Sequence, residues 1–152
     1  LLDKVKIQAQ VLVPVLRQLR RELGPYTANR IVADALRAWS KETFANIAAG
    51  IEASPRDKWW AMYKAMAEVS GKEVDFEIKR KDSEALDIDV SACKFAAFFH
   101  SIGEPDLGAL LACETDRDIA DAGAGEVTFD RAQTLMKGET CCPFRFQFAP
   151  KA

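Results

Sequence analysis

The sequence has no excess of positive charge and no long apolar run. Its 21 basic and 23 acidic side chains give a formal charge of -2, so no basic field favours nucleic acid or an anionic lipid surface. No apolar stretch reaches the length of a membrane-spanning helix, and no signal-peptide pattern is present. We therefore expect neither a nucleic-acid partner nor a membrane partner.

The sequence also lacks the cysteine spacings of a zinc finger or of a secreted disulfide framework. It has four cysteines and no Cys-x-x-Cys pair, and Cys141 and Cys142 are adjacent. A chain of 152 residues can bury a core without disulfides. We expect reduced thiols and a cytoplasmic location, although an even number of cysteines leaves bridges open.

Histidine is almost absent, which limits the chemistry available. The single histidine, His100, follows Cys93 by seven residues. On a helix this spacing corresponds to about 10 Å, too far for a direct hydrogen bond. A Cys–His dyad is therefore not expected.

Apolar residues with helical spacing predict three helices in residues 1–71. The first ends at Gly24, and the second runs from about Thr27 to near Ser54. Ser54 then caps a third helix that Pro55 opens and Gly71 ends.

Residues 72–152 begin with a period of two, which predicts a hairpin over 74–90 with one wet face. A helix is expected from Ser91, as N-cap, to Gly103, and another from Pro105 to about 123. Strands are predicted over 127–135 and 144–148. The fold class is therefore α+β, in a single domain spanning 1–152. An N-terminal helical layer packs on an antiparallel sheet of about four strands with two inserted helices.

Cys93 is the first candidate for chemistry. If the helix begins at Ser91, Cys93 lies in its first turn, where backbone N–H groups and the helix dipole stabilise a thiolate. Lys94 would add to this effect. The competing interpretation is a buried thiol on the apolar face of the helix.

Two other cysteines and one acid form the second candidate group. Cys113 and Asp116 are three residues apart, so they share one face of a predicted helix. Asp116 could act as a base, or the polar run around it could simply face solvent. Together with Cys93 and Cys142, these residues would form a Cys3Asp zinc site if they converge, although their spacing matches no zinc-finger pattern. We expect no cofactor, with zinc as the alternative.

Arg131 and Arg145 are candidates for binding a substrate carboxylate, because guanidinium groups bind carboxylates in bidentate fashion. A surface ion pair is the competing interpretation for each of them.

Four segments of the second half occur in a recognisable order: GEPDLG at 103–108, CETD at 113–116, FDRAQTL at 129–135 and the segment from Lys137-Gly138 to CPFRF at 142–146. Over residues 88–148 this ordered set resembles the L-2-amino-thiazoline-4-carboxylic acid hydrolase-like family. The family typically shows C-x-x-D, F-x-R-x-x-T and a closing G-x-x-x-C-D-F-R-F. This chain departs from it at Pro143, where Asp is usual, and at Ala112, where a further Cys is common.

The resemblance implies hydrolytic opening of a cyclic amidine in a bacterial protein, with a carboxylate-bearing small molecule as substrate. It singles out seven positions: Cys93, Cys113, Asp116, Thr134, Gly138, Cys142 and Arg145. A thiolate, with Cys93 as first candidate, or a water activated by Asp116 would attack the ring carbon. A metal-bound water held by the cysteines is the competing mechanism.

A second function class stays open. The sheet and the cysteines also resemble small-molecule- or metal-binding domains of the 4-vinyl reductase type, which need no nucleophile. A homo-oligomer is an open alternative in either case.

Overall fold

A computed structural model describes residues 1–150 of the chain, and it confirms the α+β class. The helices are α1 (Leu2–Leu23), α2 (Pro25–Ala49), α3 (Pro55–Ser70), α4 (Lys94–Ser101), α5 (Pro105–Gly108) and α6 (Thr115–Asp121). The strands are β1 (Val74–Lys81), β2 (Ala85–Cys93), β3 (Val127–Asp130) and β4 (Cys142–Phe148). They form one antiparallel sheet in the order β1-β2-β4-β3. Within residues 1–150, no helix has the length and apolarity needed to cross a bilayer.

The helical layer forms largely where the sequence predicts it. Gly24 separates α1 from α2 with a φ of 78°, a left-handed conformation that glycine adopts without steric cost. The Ser54 hydroxyl caps α3 by accepting a hydrogen bond from the backbone N–H of Asp57 at 3.3 Å. The end of α2 differs from the prediction, because the helix stops at Ala49 rather than near Ser54.

A buried acid ties α1 to the turn before α5. Glu104 is 4% exposed and accepts hydrogen bonds from Arg20 at 2.8 and 2.9 Å and from Arg17 at 3.3 Å. A buried carboxylate is costly unless it is paired in this way. The pairing therefore fixes α1 against the segment that leads towards Cys113.

The sheet has one apolar face, as the alternation of residues predicts. Ile88 and Val90 of β2 lie opposite Phe144 and Cys142 of β4, and these four residues belong to one apolar cluster with α3 and α6. Asp89 of β2 and Arg145 of β4 face the other way and form an ion pair. The helices thus cover one face of the sheet, and that face bears the site described below.

The predicted start of the first inserted helix is wrong by two residues. Ser91 belongs to β2, and Cys93 is the N-cap of α4. The strand continues past Ser91 because Ala92 and Cys93 pair with β1. The thiol therefore lies at the junction of strand and helix rather than inside the first helical turn.

The sequence predicts one continuous second inserted helix, but the structure interrupts it. A π-helical turn, Ala109–Cys113, joins α5 to α6, and the Glu114 N–H donates to the Ala109 carbonyl at 2.9 Å. Such widened turns insert one extra residue and are frequent at functional sites. The helical phase consequently changes at Cys113, just before Asp116.

The third strand is shorter than predicted. β3 ends at Asp130, opposite Arg145, and Arg131 begins an irregular segment. A short 3-10 helix, Leu135–Lys137, follows and is capped by Thr134, whose hydroxyl accepts from the Lys137 N–H at 3.2 Å. The pairing of β3 with β4 stops at Arg145, so residues 131–135 have no strand partner.

Candidate active site

A cavity of about 440 Å³ lies between the apolar face of the sheet and the helices. Five side chains that carry chemistry line it: Cys93, Cys113, Asp116, Arg131 and Cys142. They come from four separate parts of the chain and meet because each lies at the end of an element. Cavities of this size with a few polar groups are the usual form of small-molecule sites.

The junctions between elements position these groups. Cys93 ends β2, and Cys142 begins β4 on the neighbouring strand. Cys113 ends the π-helical turn, which places Asp116 in the first turn of α6. Arg131 follows the last residue of β3.

Asp116 and Arg131 form a short ion pair at the cavity wall. Arg131 Nη1 donates to Asp116 Oδ2 at 2.6 Å, and Nη2 donates to the Cys113 carbonyl at 2.9 Å. The Arg131 side chain is 10% exposed, and the centre of its guanidinium lies 5.6 and 5.2 Å from the ring centroids of Phe129 and Phe144. Aromatic faces at such distances attract a cation. The arginine is thereby held rigidly, and it holds Asp116.

The surroundings of Asp116 change its acidity. The side chain is 24% exposed, and the exposed part belongs to the cavity lining. Removal from bulk water raises the pKa of Asp116 to about 6, and the charge and hydrogen bond of Arg131 offset only part of this rise. A carboxyl group with such a pKa can accept a proton near neutral pH and release it again.

The three cavity thiols have raised pKa values, because burial outweighs every stabilising contact. The pKa of Cys113 rises to about 12. Burial also raises the pKa of Cys93, although its sulfur accepts from the Ala96 N–H at 3.5 Å, and the pKa of Cys142, although its sulfur accepts from the Leu135 N–H at 3.2 Å. The backbone N–H groups at the start of α4 do lower the pKa of Cys93, as predicted, but burial outweighs them. The expected thiolate near neutral pH is therefore not supported.

We expect the cavity thiols to resist alkylation. A thiol with a pKa of about 12 is roughly one ten-thousandth ionised at pH 8, and the thiolate is the reacting species. Peptide mass spectrometry after iodoacetamide treatment should show Cys113 labelled far more slowly than a free cysteine added to the same reaction. Labelling of Cys113 or Cys93 that is rapid at pH 7 and independent of higher pH would contradict this environment.

The four residues proposed for zinc do not converge on one point. Within residues 1–150, no three His, Cys, Asp or Glu side chains lie close enough to hold a metal ion. Cys93, Cys113, Cys142 and Asp116 line one cavity, and Asp116 is engaged by Arg131. The Cys3Asp arrangement considered from the sequence is therefore not formed.

Two other residues considered from the sequence lie outside the cavity lining. Arg145 alternates with Phe144 and Phe146, so it lies on the outer face of the sheet, where Nη2 donates to Asp89 at 2.7 Å. Thr134 is 7% exposed and its hydroxyl caps the 3-10 helix. The structure thus brings Arg131 into the site and leaves Arg145 and Thr134 in other contacts.

Tyr63 is a cavity residue that the sequence interpretation missed. Its ring stacks on Trp59 at 5.3 Å between centroids, and it lines the same cavity as Asp116. Burial, with a further contribution from the charge of Asp116, raises the pKa of Tyr63 to about 12. Its hydroxyl therefore remains protonated as a hydrogen-bond donor. Sequence spacing offered no signal, since Tyr63 lies within a helix face typical of core packing.

The fold and the site define an α+β protein with a cavity lined by thiols and a buried ion pair. The chain belongs to the L-2-amino-thiazoline-4-carboxylic acid hydrolase family, whose sequence model matches residues 4–146. The family suspected from the sequence is confirmed.

Comparison with individual proteins gives solved structures of low sequence identity. No curated protein sequence matches the chain. Among solved structures, the chain is similar to the phenol-responsive sensory domain of the transcription activator PoxR with phenol, at 11% identity over 91% of this chain and 73% of that chain, with a TM-score of 0.47. It is also similar to the Fe(II) unliganded H-NOX protein from K. algicida, at 7% identity over 92% of this chain and 72% of that chain, with a TM-score of 0.37.

Proposed function

We propose that the chain hydrolyses the ring of a small cyclic amidine that carries a carboxylate, with 2-amino-thiazoline-4-carboxylate as the reference compound. The observation that carries this proposal is the Asp116–Arg131 ion pair in the wall of a cavity that three cysteines also line. Family membership supports the reaction class. The proposed reaction needs no cofactor.

The charges of the ion pair suit such a substrate. A protonated cyclic amidine with a carboxylate is a zwitterion, so it offers one charge to each member of the pair. Arg131 engages only Oδ2 of Asp116, which leaves Oδ1 for the amidinium. A guanidinium has five N–H donors, and Arg131 directs Nη1 to Asp116 and Nη2 to Cys113, so further donors remain for the substrate carboxylate.

In the proposed reaction, Asp116 accepts a proton from a water whose oxygen bonds to the amidinium carbon. The π electrons of the C=N bond return to nitrogen, and a tetrahedral adduct forms. The ring C–S bond then breaks, the sulfur leaves with the proton of the new hydroxyl, and Asp116 releases its proton to solvent. The product is a urea with a free thiol. Tyr63 is proposed as a donor to the adduct.

The cysteines have a secondary role in this proposal. Direct attack by Cys93 would require its thiol to lose a proton, and burial raises the pKa of that thiol. Activated water, with Asp116 as base, is therefore the favoured route over the thiolate. Cys113 and Cys142 then serve as a polarisable wall against the ring sulfur.

A non-catalytic binding domain of the 4-vinyl reductase type is the second candidate. One observation favours it: the pKa values of all three cavity thiols are raised by burial, as expected for cysteines that only pack against a ligand. In this case the ion pair would bind a zwitterion without a proton transfer.

Turnover separates the two candidates. Purified protein incubated with 2-amino-thiazoline-4-carboxylate should yield a product heavier by one water, detected by mass spectrometry, and Cys93→Ser should retain most of the rate. Loss of activity in Cys93→Ser, with a covalent adduct on Cys93 in the wild type, would favour thiol attack instead. Binding of the compound without any product between pH 5 and pH 9 would leave the binding domain as the function.

A further inference from the structure

The cavity is larger and more apolar than a single five-membered ring with a carboxylate requires. Its volume of about 440 Å³ lies within the range of roughly 300–1,000 Å³ that is typical of sites for drug-sized ligands. The ion pair can bind only the charged part of a ligand. The remaining volume needs another occupant.

Large apolar side chains surround that remaining volume. Trp39 and Phe44 come from α2, Met66 from α3 and Phe76 from β1, and all four line the cavity. They share the lining with smaller polar side chains, among them Thr43 on α2. A lining of this kind stabilises an apolar group by removing it from water.

The exposure of the lining residues distinguishes the open end of the cavity from its buried end. Trp39 is 50% exposed and Phe76 is 52% exposed, whereas the side chain of Arg131 is 10% exposed. The aromatic residues therefore mark the mouth, and the ion pair lies deeper. Half-exposed aromatic residues at the mouth of a cavity are typical of ligand sites.

We infer that the substrate carries an apolar group of about the size of a phenyl ring on its amidine ring. The charged part would lie on Asp116 and Arg131, and the apolar group would point towards Trp39 and Phe76. That this ligand is a substrate rests on the proposed function. The recognition of an apolar, zwitterionic ligand can be tested by binding alone.

Unreactive ligands separate recognition from turnover. We would compare 2-amino-imidazoline-4-carboxylate, a cyclic guanidine that is protonated at neutral pH and resists hydrolysis, with its 5-benzyl derivative by calorimetry. The wild-type protein should bind the benzyl derivative at least tenfold more tightly. Equal or weaker binding of the benzyl derivative, or binding of neither compound, would overturn the inference.

A cavity-filling variant locates the apolar group. Thr43 lies one helical turn from Trp39 and lines the cavity, so Thr43→Phe should abolish the preference for the benzyl derivative while the parent compound still binds. Ala45→Phe is the matched control, because Ala45 is exposed on the same helix outside the cavity lining. Its preference should equal that of the wild type. A tenfold preference that survives in Thr43→Phe would overturn the assigned position.

The inference and the proposed function can fail separately. If the benzyl derivative binds more tightly but neither 2-amino-thiazoline-4-carboxylate nor its 5-benzyl derivative is hydrolysed, the ligand class stands and the hydrolase proposal falls. If both thiazolines are hydrolysed without a binding preference for the benzyl group, the proposed function stands and the apolar group is overturned.

Discussion

Replacing Asp116 by asparagine should lower kcat/KM for 2-amino-thiazoline-4-carboxylate by about 10²–10⁴-fold, the usual contribution of a general acid or base. Asparagine keeps the size of the side chain but cannot accept a proton from water. In the wild type, kcat/KM should rise with pH and level off above about 6, where Asp116 is ionised. The measurement is steady-state hydrolysis between pH 5 and pH 9.

The control for this variant is Asp121→Asn, on the same helix. Asp121 is exposed and does not line the cavity, so its substitution should leave the rate and the pH profile unchanged. Retention of full activity by Asp116→Asn would contradict its role as base. A rate that falls as pH rises through 6 would contradict it as well, since the protonated acid would then be the active form.

Much of the fold could be predicted because local signals agree with the tertiary structure. The Ser54 cap and the glycine at position 24 mark helix ends that depend on local backbone hydrogen bonds and on φ. The alternation in β2 and β4 predicts which residues face the helices, since a strand has a period of two. These features need no information from distant segments.

The errors fall where distant segments decide the outcome. Residues 131–135 continue the alternating pattern, but the pairing of β3 with β4 ends at Asp130, and Arg131 bonds instead to Asp116 and to the Cys113 carbonyl. Likewise, the helical pattern after Pro105 cannot show that the Glu114 N–H bonds to the Ala109 carbonyl and creates a π-helical turn. The apolar residues of the sequence fit a regular α-helix and a helix interrupted by a π-helical turn equally well.

Part of the membership of the candidate site could be predicted, whereas its electrostatics could not. Cys93, Cys113, Asp116 and Cys142 line one cavity, as the sequence interpretation required of a common site. Arg145 could have been excluded from the sequence, because it alternates with the phenylalanines of β4. The pKa values could not be predicted, since they depend on how deeply each group is buried.

The raised pKa of Asp116 has a large consequence for stability. The folded state holds the proton of this group more tightly than the unfolded chain, with a pKa of about 6 against an ordinary value of 3.8. Between these two values the folded state binds more protons, so Asp116 makes the protein less stable as pH rises through this window. The difference between the two pKa values corresponds to about 3 kcal/mol of unfolding free energy. This stabilisation is fully present below the unfolded pKa and is lost as pH rises through the folded pKa.

Asp116→Asn removes this titration. Relative to the wild type, the free energy of unfolding of the variant should therefore increase by about 2 kcal/mol between pH 4 and pH 7. Both proteins contain every other titrating group, so their contributions cancel in the difference. The charge interaction with Arg131 titrates together with Asp116 and is already included in its pKa of about 6. Denaturant unfolding at each pH measures the difference in unfolding free energy between the variant and the wild type. For the control Asp121→Asn, we expect the unfolding free energy to follow the same pH dependence as that of the wild type. A difference that instead decreases as pH rises would mean that the ion pair with Arg131 outweighs burial and holds Asp116 ionised, and such a carboxylate would be a poor base near neutral pH.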